Sequence, residues 1–167
     1  MMPKFHNSES GAEPKPGDWL SPEEFARVIR LTPLVAIDLV VRSPEGRILV
    51  GKRLNEPAKG YFFVPGSRIS KNETRGNAFR RVSREELGVE ADLRNARLLG
   101  AYDHIYPTNR FGLPGFGTHY VTLAYELEMN LDPGKLPTDQ HGEYLWLIPE
   151  ELLESTVVHD NTKAYFR

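Results

Sequence analysis

The most informative segment of the chain is residues 66–88, GSRISKNETRGNAFRRVSREELG. It predicts the end of a strand, a polar turn, and a helix that Gly88 closes. At about 100° per residue, one side of this helix carries the apolar residues Ala78, Phe79 and Val82. Glu86 lies at the edge of that apolar side. Because burying an unpaired charge is costly, Glu86 needs a partner, and a metal ion is one such partner.

The composition is that of an ordinary globular protein, and it excludes several kinds of site. The 167 residues, 40% of them hydrophobic, are enough for one domain with a core. The net charge of -2 gives no general attraction to nucleic acids or to anionic membranes. Because the chain has no cysteine, disulfides and thiolate metal sites are excluded, and any metal must bind oxygen or histidine nitrogen. No apolar run approaches the roughly 18–20 residues of a membrane span and the N-terminus lacks a signal core, so we expect a cytoplasmic protein.

Patterning divides the chain into a mobile polar tail, residues 1–17, and a single domain, residues 18–167. A helix is predicted from Ser21, as N-cap, to about Arg30, because Pro and Glu follow the serine in the favoured order. Alternating apolar residues predict strands at 34–42, 48–53, 61–64, 97–105, 118–128 and 144–147. Short helices are predicted at 149–153 and 161–166. This mixture favours an α/β or α+β fold with layers around a mixed sheet.

Three side chains in the first part of the chain keep more than one interpretation. Asp38 lies in mid-strand among small apolar neighbours, where it could pair with a nearby arginine or belong to a site. Trp19 and Phe25 could pack on the core, on a second subunit or on a flat ligand. Further along, the loop at 106–117 contains two prolines and three glycines, and loops of this length in small domains are often functional.

Residues 67–89 resemble a Nudix box, which runs Gly, five residues, Glu, seven residues, and then Arg-Glu-apolar-any-Glu-Glu-any-Gly-apolar. The residues that match are Glu73, Arg81, Glu85, Glu86 and Gly88. Val82 replaces the glutamate that follows the arginine of the box, and Ser67 and Ser83 are further departures. The resemblance implies a Nudix-type α/β/α sandwich with a central mixed β-sheet. Ordinary Nudix pyrophosphohydrolases use the replaced carboxylate around their metals, so Val82 argues against the usual attack on phosphorus.

The departures are similar to those of one Nudix branch, the GDP-mannose mannosyl hydrolases. This resemblance extends from about Trp19 to Phe166, and it is carried by Thr32-Pro33-Leu34-Val35, Phe63-Val64-Pro65-Gly66, Thr118-His119-Tyr120-Val121 and Asp139-Gln140-His141. It implies a homodimer that hydrolyses GDP-mannose, with GDP-glucose as the other candidate, to GDP and free hexose. The implied reaction is attack of water on the anomeric carbon of the nucleotide sugar.

The same resemblance implies one magnesium ion (Mg²⁺) per subunit, for which Mn²⁺ can substitute. The matching ligands are the backbone carbonyl of Gly66, the Glu86 carboxylate and the Gln140 side chain. All are oxygen ligands, which suit a hard cation that also binds diphosphate oxygens. Glu86 is thus indicated twice, by its place on the helix and by the resemblance. Gln140 taken alone would be an ordinary polar loop residue.

Other site residues follow from the resemblance. His141 matches the general base, and imidazole is suited to removing a proton from water near neutral pH. The residues that match contacts to the diphosphate, the sugar or the reacting water are Arg53, Arg68, Tyr120, Asp38 and His104. Nucleotide contacts, with a second subunit as one option, are matched by Trp19, Leu20 and Phe25. Arg81 also matches a substrate contact, although an ion pair with Glu85 one helical turn away explains it equally well.

Three alternatives stay open from the sequence. A conventional Nudix pyrophosphohydrolase would cut a nucleotide sugar into a nucleoside monophosphate and a sugar phosphate. A Nudix-like domain could also bind a nucleotide sugar without hydrolysing it, or serve only as a structural interaction domain. The identities of the base and of the sugar rest on the resemblance alone.

Overall fold

The computed structural model describes residues 20–167, so the predicted tail at 1–17 and the predicted contact of Trp19 lie outside the described residues. The helices are α1 Pro22–Leu31, α2 Arg75–Leu87, α3 Pro149–Glu154 and α4 Asp160–Lys163. The strands are β1 Leu34–Arg42, β2 Ile48–Arg53, β3 Phe62–Phe63, β4 Gly66–Arg68, β5 Arg97–Tyr106, β6 Thr118–Glu128 and β7 His141–Leu147. Short 3₁₀ turns lie at Leu93–Asn95, Pro133–Lys135 and Ala164–Phe166. None of the helices in this part of the chain is long and apolar enough to cross a membrane.

The strands form one mixed sheet with β1 near its centre. β1 pairs antiparallel with β2 and parallel with β6, and β5 pairs antiparallel with β6 at one edge. β3 and β7 both pair with β2, while β4 pairs with β1. Most residues of β1 are buried whichever face they occupy, as is usual where a parallel pair is covered on both sides. The predicted mixed sheet is confirmed.

Helices cover both faces of this sheet. On one face, α2 packs in a buried cluster that includes Ile37, Leu39, Phe79 and Val82. On the other face, α3 and the last 3₁₀ turn pack in a cluster that includes Val40, Val50, Leu152 and Tyr165. Each fully buried large apolar side chain contributes about 1.5–3 kcal/mol to stability. The predicted α/β/α sandwich is therefore confirmed, and these two layers hold the sheet that carries the site.

Local signals determine where α1 and α2 begin and end. Ser21 and Glu24 each bond to the backbone amide of the other, at 3.2 and 2.9 Å, in the capping box that the sequence predicts. Thr74 caps the N-terminus of α2 through its side-chain oxygen. Gly88 ends α2 with a φ of 71°, a left-handed conformation that glycine adopts without a Cβ clash. The predicted ends of both helices are confirmed to within one residue.

Strands β3, β4 and β7 differ from the sequence prediction. The first of them, β3, spans Phe62–Phe63 instead of the predicted 61–64. The predicted polar turn after the third strand begins instead with β4, Gly66–Arg68, which pairs with β1 and sets Gly66 opposite Asp38. The last strand begins at His141, three residues earlier than predicted, and His141 pairs with Arg53 of β2. These last two segments are polar and lack the alternation that predicts a strand, so each is ordered by its neighbour in the sheet. These pairings position Gly66 and His141.

Candidate active site

Most of the residues predicted for the site line one cavity of about 130 Å³. A cavity of this size has room for several water molecules, so it is not a simple packing defect. The predicted residues that line it are Phe25, Asp38, Arg53, Gly66, Arg68, Glu86, His104, Tyr120, Gln140 and His141. They lie on α1, on α2, on the six strands β1, β2, β4, β5, β6 and β7, and on the loop before β7. The fold therefore brings together residues that lie far apart in the chain.

Glu86 and His141 form the buried centre of the cavity. They are 5% and 4% exposed, and Oε2 of Glu86 lies 3.5 Å from Nδ1 of His141. Within residues 20–167, no hydrogen bond reaches that oxygen. A buried carboxylate oxygen without a hydrogen bond is costly, so this atom is well suited to binding a cation.

The donors around Glu86 fit the predicted magnesium site. Gly66 and Gln140 line the same cavity, and carbonyl, amide and carboxylate oxygens are the donors that a hard divalent cation prefers. The described part of the chain contains no group of three or more His, Asp or Glu side chains placed to hold a metal. A magnesium site here would therefore depend on backbone and amide oxygens as well as on Glu86.

Gly51 makes room for the imidazole of His141. The two residues lie on the paired strands β2 and β7. A methyl carbon at Gly51 would come within 2.7 Å of two ring atoms of His141, which is closer than a normal van der Waals contact of about 3.5–4 Å. The absence of a side chain at this position therefore lets the histidine ring pack against the sheet.

Two arginines of the cavity are held against aromatic rings. The guanidinium of Arg68 lies 4.1 Å from the centre of the Phe25 ring, and that of Arg53 lies 5.2 Å from the centre of the Phe63 ring. Such contacts hold the plane of a guanidinium in a fixed orientation. Burial lowers the pKa of Arg68, but a guanidinium stays protonated in proteins. Burial also raises the pKa of the Tyr120 phenol, so the cavity offers two positive forks and a hydroxyl donor.

Asp38 and His104 are joined by a hydroxyl that the site prediction did not include. Tyr165 donates a hydrogen bond to Asp38, and its oxygen lies 3.1 Å from Nε2 of His104. Nδ1 of His104 lies 3.3 Å from Oγ1 of Thr122. Because Tyr165 has one hydrogen to donate, Nε2 of His104 would donate to it and Nδ1 would accept from Thr122. This chain of contacts accommodates a neutral imidazole, and the hydrogen-bond partner of Asp38 is a tyrosine rather than an arginine.

Burial shifts the pKa values of Asp38 and His104 in opposite directions. Asp38 keeps some exposure through the cavity, but its carboxyl is enclosed deeply enough for burial to raise its pKa to about 7. Burial lowers the pKa of His104 to about 4. Both shifts favour the uncharged forms, so the inner wall of the cavity carries less charge than its composition implies.

The burial of neutral His104 predicts a loss of stability in acid. Between pH 6.5 and about 4 the unfolded chain binds a proton at this residue that the folded chain does not, so stability falls as the pH falls. Complete passage through this interval costs up to about 3 kcal/mol. We expect the difference in unfolding free energy between the wild type and His104→Gln to shrink by this amount on acidification. Urea denaturation at a series of pH values measures it, and a difference independent of pH would contradict the prediction.

Arg81 lies outside the cavity. Its guanidinium bonds to Glu73 at 2.7 Å, to Glu85 at 2.9 Å and to the backbone carbonyl of Arg68 at 2.8 Å. The ion pair with Glu85 is therefore confirmed. Four of the five N–H donors of Arg81 bond within the protein, and its predicted substrate contact stays a prediction. The Arg81 side chain ties α2 to β4, and so helps to position Arg68.

Leu20 also lies away from the cavity lining. It packs at the edge of a cluster formed by Phe25, Ile29 and Leu34. Its packing contact is observed, and its predicted nucleotide contact stays a prediction. Leu20 packs against the cluster that contains Phe25, and the Phe25 ring contacts the guanidinium of Arg68. Leu20 can therefore influence the site indirectly.

The departures from the Nudix box have structural roles. Val82 is fully buried in the cluster between α2 and the sheet. The Ser83 hydroxyl donates to the carbonyl of Arg80 at 3.0 Å and accepts from the amide of Ala91 at 2.9 Å. Of the two glutamates on α2, Glu86 lines the cavity, whereas Glu85 is bonded to Arg81. Helix α2 therefore supplies one carboxylate to the cavity.

Several residues of the cavity were not predicted from the sequence. They are Ala36, Asn55, Glu56, Phe63, Val64, Ser67, Tyr106, Arg110 and Thr122. Thr122 could have been found, because the alternation of β6 sets it on the same face as Tyr120. Arg110 lies in the loop between β5 and β6, which its length and composition had already indicated as functional. Of the others, Phe63 and Val64 belong to a stretch that carries the family resemblance, but no pattern indicated them as site residues.

Comparison with known proteins identifies the class to which this fold and cavity belong. The NUDIX domain model matches residues 32–167, which is most of the chain, and the chain therefore belongs to the Nudix family. The low-salt glycan biosynthesis protein Agl8 of Haloferax volcanii is 38% identical over 130 residues, which cover 77% of this chain and 80% of that protein. A Nudix hydrolase of Deinococcus radiodurans is 29% identical over 153 residues, which cover 85% and 82% of the two chains.

The solved structures agree with this assignment. A MutT Nudix hydrolase from Burkholderia pseudomallei superimposes with a TM-score of 0.64 at 27% identity, covering 81% of this chain and 97% of that chain. The family model and these relatives support a Nudix hydrolase. The particular substrate, the magnesium ion and the homodimer stay predictions.

Proposed function

We propose that this protein hydrolyses GDP-mannose, or GDP-glucose, to GDP and free hexose by attack of water on the anomeric carbon. The observation that carries the proposal is the pairing of His141 with Glu86 in the cavity while Val82 is buried in the core. His141, the candidate base, thus lies beside Glu86, the one carboxylate that α2 contributes to the cavity. Glu86 is at a position of the Nudix box that binds metal in that family. The name of Agl8 connects that relative with glycan biosynthesis, which is in keeping with a nucleotide sugar as substrate.

His141 is the general base in this proposal. Its Nδ1 lies 3.5 Å from both Glu86 Oε2 and the Tyr144 hydroxyl. With a hydrogen on Nδ1 directed at these oxygens, Nε2 is free to accept the proton of the attacking water. The water oxygen then forms a bond to the anomeric carbon, and the bond from that carbon to the diphosphate oxygen breaks.

The leaving diphosphate needs stabilisation of its negative charge. Arg53, Arg68 and the Tyr120 hydroxyl supply fixed donors in the cavity, and donors that are already oriented stabilise developing charge most effectively. A magnesium ion held by Gly66, Glu86 and Gln140 would add Lewis-acid stabilisation of that charge. In this proposal Asp38 and His104, which also line the cavity, contact the hydroxyls of the hexose.

A product assay tests this proposal. The protein is incubated with GDP-mannose, GDP-glucose, ADP-glucose, UDP-glucose and ADP-ribose, with and without magnesium, in oxygen-18 water. We expect GDP and free hexose, with the label in the hexose. Label in a nucleotide or a sugar phosphate, with GMP as product, would indicate the conventional pyrophosphohydrolase instead. Binding without turnover of any of these substrates would leave only a nucleotide-sugar binder.

The close packing of His141 against Gly51 gives a more specific test of its role. We expect Gly51→Ala to displace the imidazole and to lower kcat by about ten-fold or more, since misplacement by about 1 Å can cost 100-fold. Gly76→Ala is the matched control, because a methyl carbon there would meet no atom within 4 Å. The control should leave kcat unchanged and stabilise α2 slightly. Equal steady-state rates for the two variants would contradict the placement of His141 at the reacting centre.

A further inference from the structure

The loop between β5 and β6, residues 107–117, is held in one shape around Asn109. Asn109 is fully buried, and its amide nitrogen donates to the carbonyls of Leu113 and Phe116 at 2.8 and 2.9 Å. Its side-chain oxygen accepts from the amides of Phe111 and Leu113 at 3.1 and 3.2 Å. One side chain thus satisfies four backbone groups of the loop. Such a fully satisfied polar residue rigidifies the segment around it.

The same loop is attached to the rest of the protein on both sides of Arg110. The ring of Phe111 packs edge-on against Phe25, with ring centres 5.9 Å apart. The hydroxyl of Thr108 donates to the Glu56 carboxylate, in the loop after β2, at 3.1 Å. Arg110 therefore lies between anchored neighbours, and it lines the cavity.

The charge of Arg110 acts on the phosphate-binding side of the cavity. At Arg68 it lowers the pKa in the same direction as burial, which is the larger influence, and at Tyr120 it opposes the larger rise in pKa that burial causes. The charges that act on the pKa values of Asp38 and His104 are those of other groups, among them Arg53. Phe111 and Arg68 also contact the same ring, that of Phe25. Arg110 is accordingly placed with Arg68 and Tyr120.

Arg110 makes no ion pair with any residue between 20 and 167. Glu56, one of the carboxylates that line the cavity, is bonded to Thr108. Two guanidinium groups that share a small cavity repel each other unless an anion lies between them. Phosphate oxygens are the anions that planar guanidinium forks bind best. This side of the cavity is therefore arranged for a group with more than one phosphate.

We propose that Arg110 is a specificity-determining residue that binds the diphosphate of the substrate and of the nucleoside diphosphate product. This inference rests on the proposed function and deepens it, because it names the group that the loop recognises. A nucleoside diphosphate can engage Arg110 together with Arg53 and Arg68, whereas a nucleoside monophosphate leaves one of them without a phosphate contact. The site then favours diphosphates over monophosphates.

Calorimetric titration tests this proposal with GDP, GMP and guanosine in the presence of magnesium. We expect Arg110→Gln to weaken GDP binding by about ten-fold or more, as for the loss of a charged hydrogen bond, and to leave guanosine binding unchanged. The loss for GMP should be smaller than that for GDP. Arg110→Lys should recover part of the affinity, because it keeps the charge without the planar fork. Unchanged thermal unfolding would show that the loop is intact.

The matched control is Arg47→Gln, in the exposed turn between β1 and β2. It removes the same charge at a place outside the cavity lining, so it measures the effect of net charge alone. Equal GDP affinity for Arg110→Gln and Arg47→Gln would overturn the proposal. So would a changed hexose preference with unchanged GDP affinity, because that result would place Arg110 at the sugar.

Failure of the proposed function would be recognised separately. If the wild type releases no GDP from GDP-mannose or GDP-glucose, the proposed reaction is wrong. The same variants are then titrated with inorganic pyrophosphate, which carries neither base nor sugar. A ten-fold weaker pyrophosphate affinity for Arg110→Gln than for Arg47→Gln would still support the diphosphate contact, and equal affinities would overturn it.

Discussion

Replacement of His141 by glutamine is expected to lower kcat for GDP-mannose hydrolysis by about 10²–10⁴-fold, which is the usual contribution of general base catalysis. Glutamine has a similar length and can occupy the space beside Gly51, but it cannot accept a proton from water near neutral pH. KM should change little, because the diphosphate contacts are made by other residues. The loss should therefore appear in kcat and in kcat/KM to the same extent.

The control for this substitution is His119→Gln. His119 lies in β6 next to the cavity residue Tyr120, and its side chain is 39% exposed. It does not line the cavity. We expect it to retain the wild-type rate. If His141→Gln kept more than about a tenth of the wild-type kcat, the general base would have to be another group, and Asp38 would be the next candidate.

The long elements of the fold follow from local patterns. β1 and β6 have the ranges that their apolar alternation predicts, because successive side chains of a strand point to opposite faces of the sheet. The start of α1 is likewise encoded in adjacent residues, Ser21 and Glu24, which bond to each other. Such signals need no knowledge of the rest of the chain.

The shorter elements and the contacts of the site depend on distant residues. β4 exists because β1 offers it a pairing edge, and the start of β7 depends on its pairing with β2. The bond from Tyr165 to Asp38 joins residues 127 positions apart. Neither residue carries a pattern that indicates the other. For this reason the midstrand acid could be singled out from the sequence, while its partner could not.

The candidate site was predicted in a different way from the fold. Helical periodicity indicated Glu86, and its burial with an unbonded oxygen agrees with that prediction. His141 and Gln140 were indicated by the family resemblance, since a histidine in a polar loop has no distinguishing local pattern. Arg81 shows that a residue matched by a family resemblance can have a structural role in this chain. Its local pairing with Glu85 described its place in this chain better.

Helix α2 supplies the most sensitive single position, Glu86. We expect Glu86→Gln to lower kcat by about 10³-fold or more, because Lewis-acid stabilisation of a leaving diphosphate is worth several kcal/mol and each 1.36 kcal/mol is ten-fold. This loss should be at least as large as that for His141→Gln. Glu85→Gln is the matched control, one residue away on the same helix. It should cost little, since the Glu85 side chain is 42% exposed and pairs with Arg81.

Stability gives a readout of Glu86 that does not depend on catalysis. Without magnesium, the wild type keeps a buried carboxylate oxygen that lacks a hydrogen bond, so the neutral amide of Glu86→Gln should be as stable or more stable. With magnesium, the wild type should gain stability according to its affinity for the ion, whereas the variant should gain little. Thermal unfolding with a chelator and then with increasing magnesium measures both effects. An equal gain for the two proteins would place the metal elsewhere, and the rate loss of Glu86→Gln would then have to come from its contact with His141, since Glu86 and Nδ1 of His141 lie within 3.5 Å.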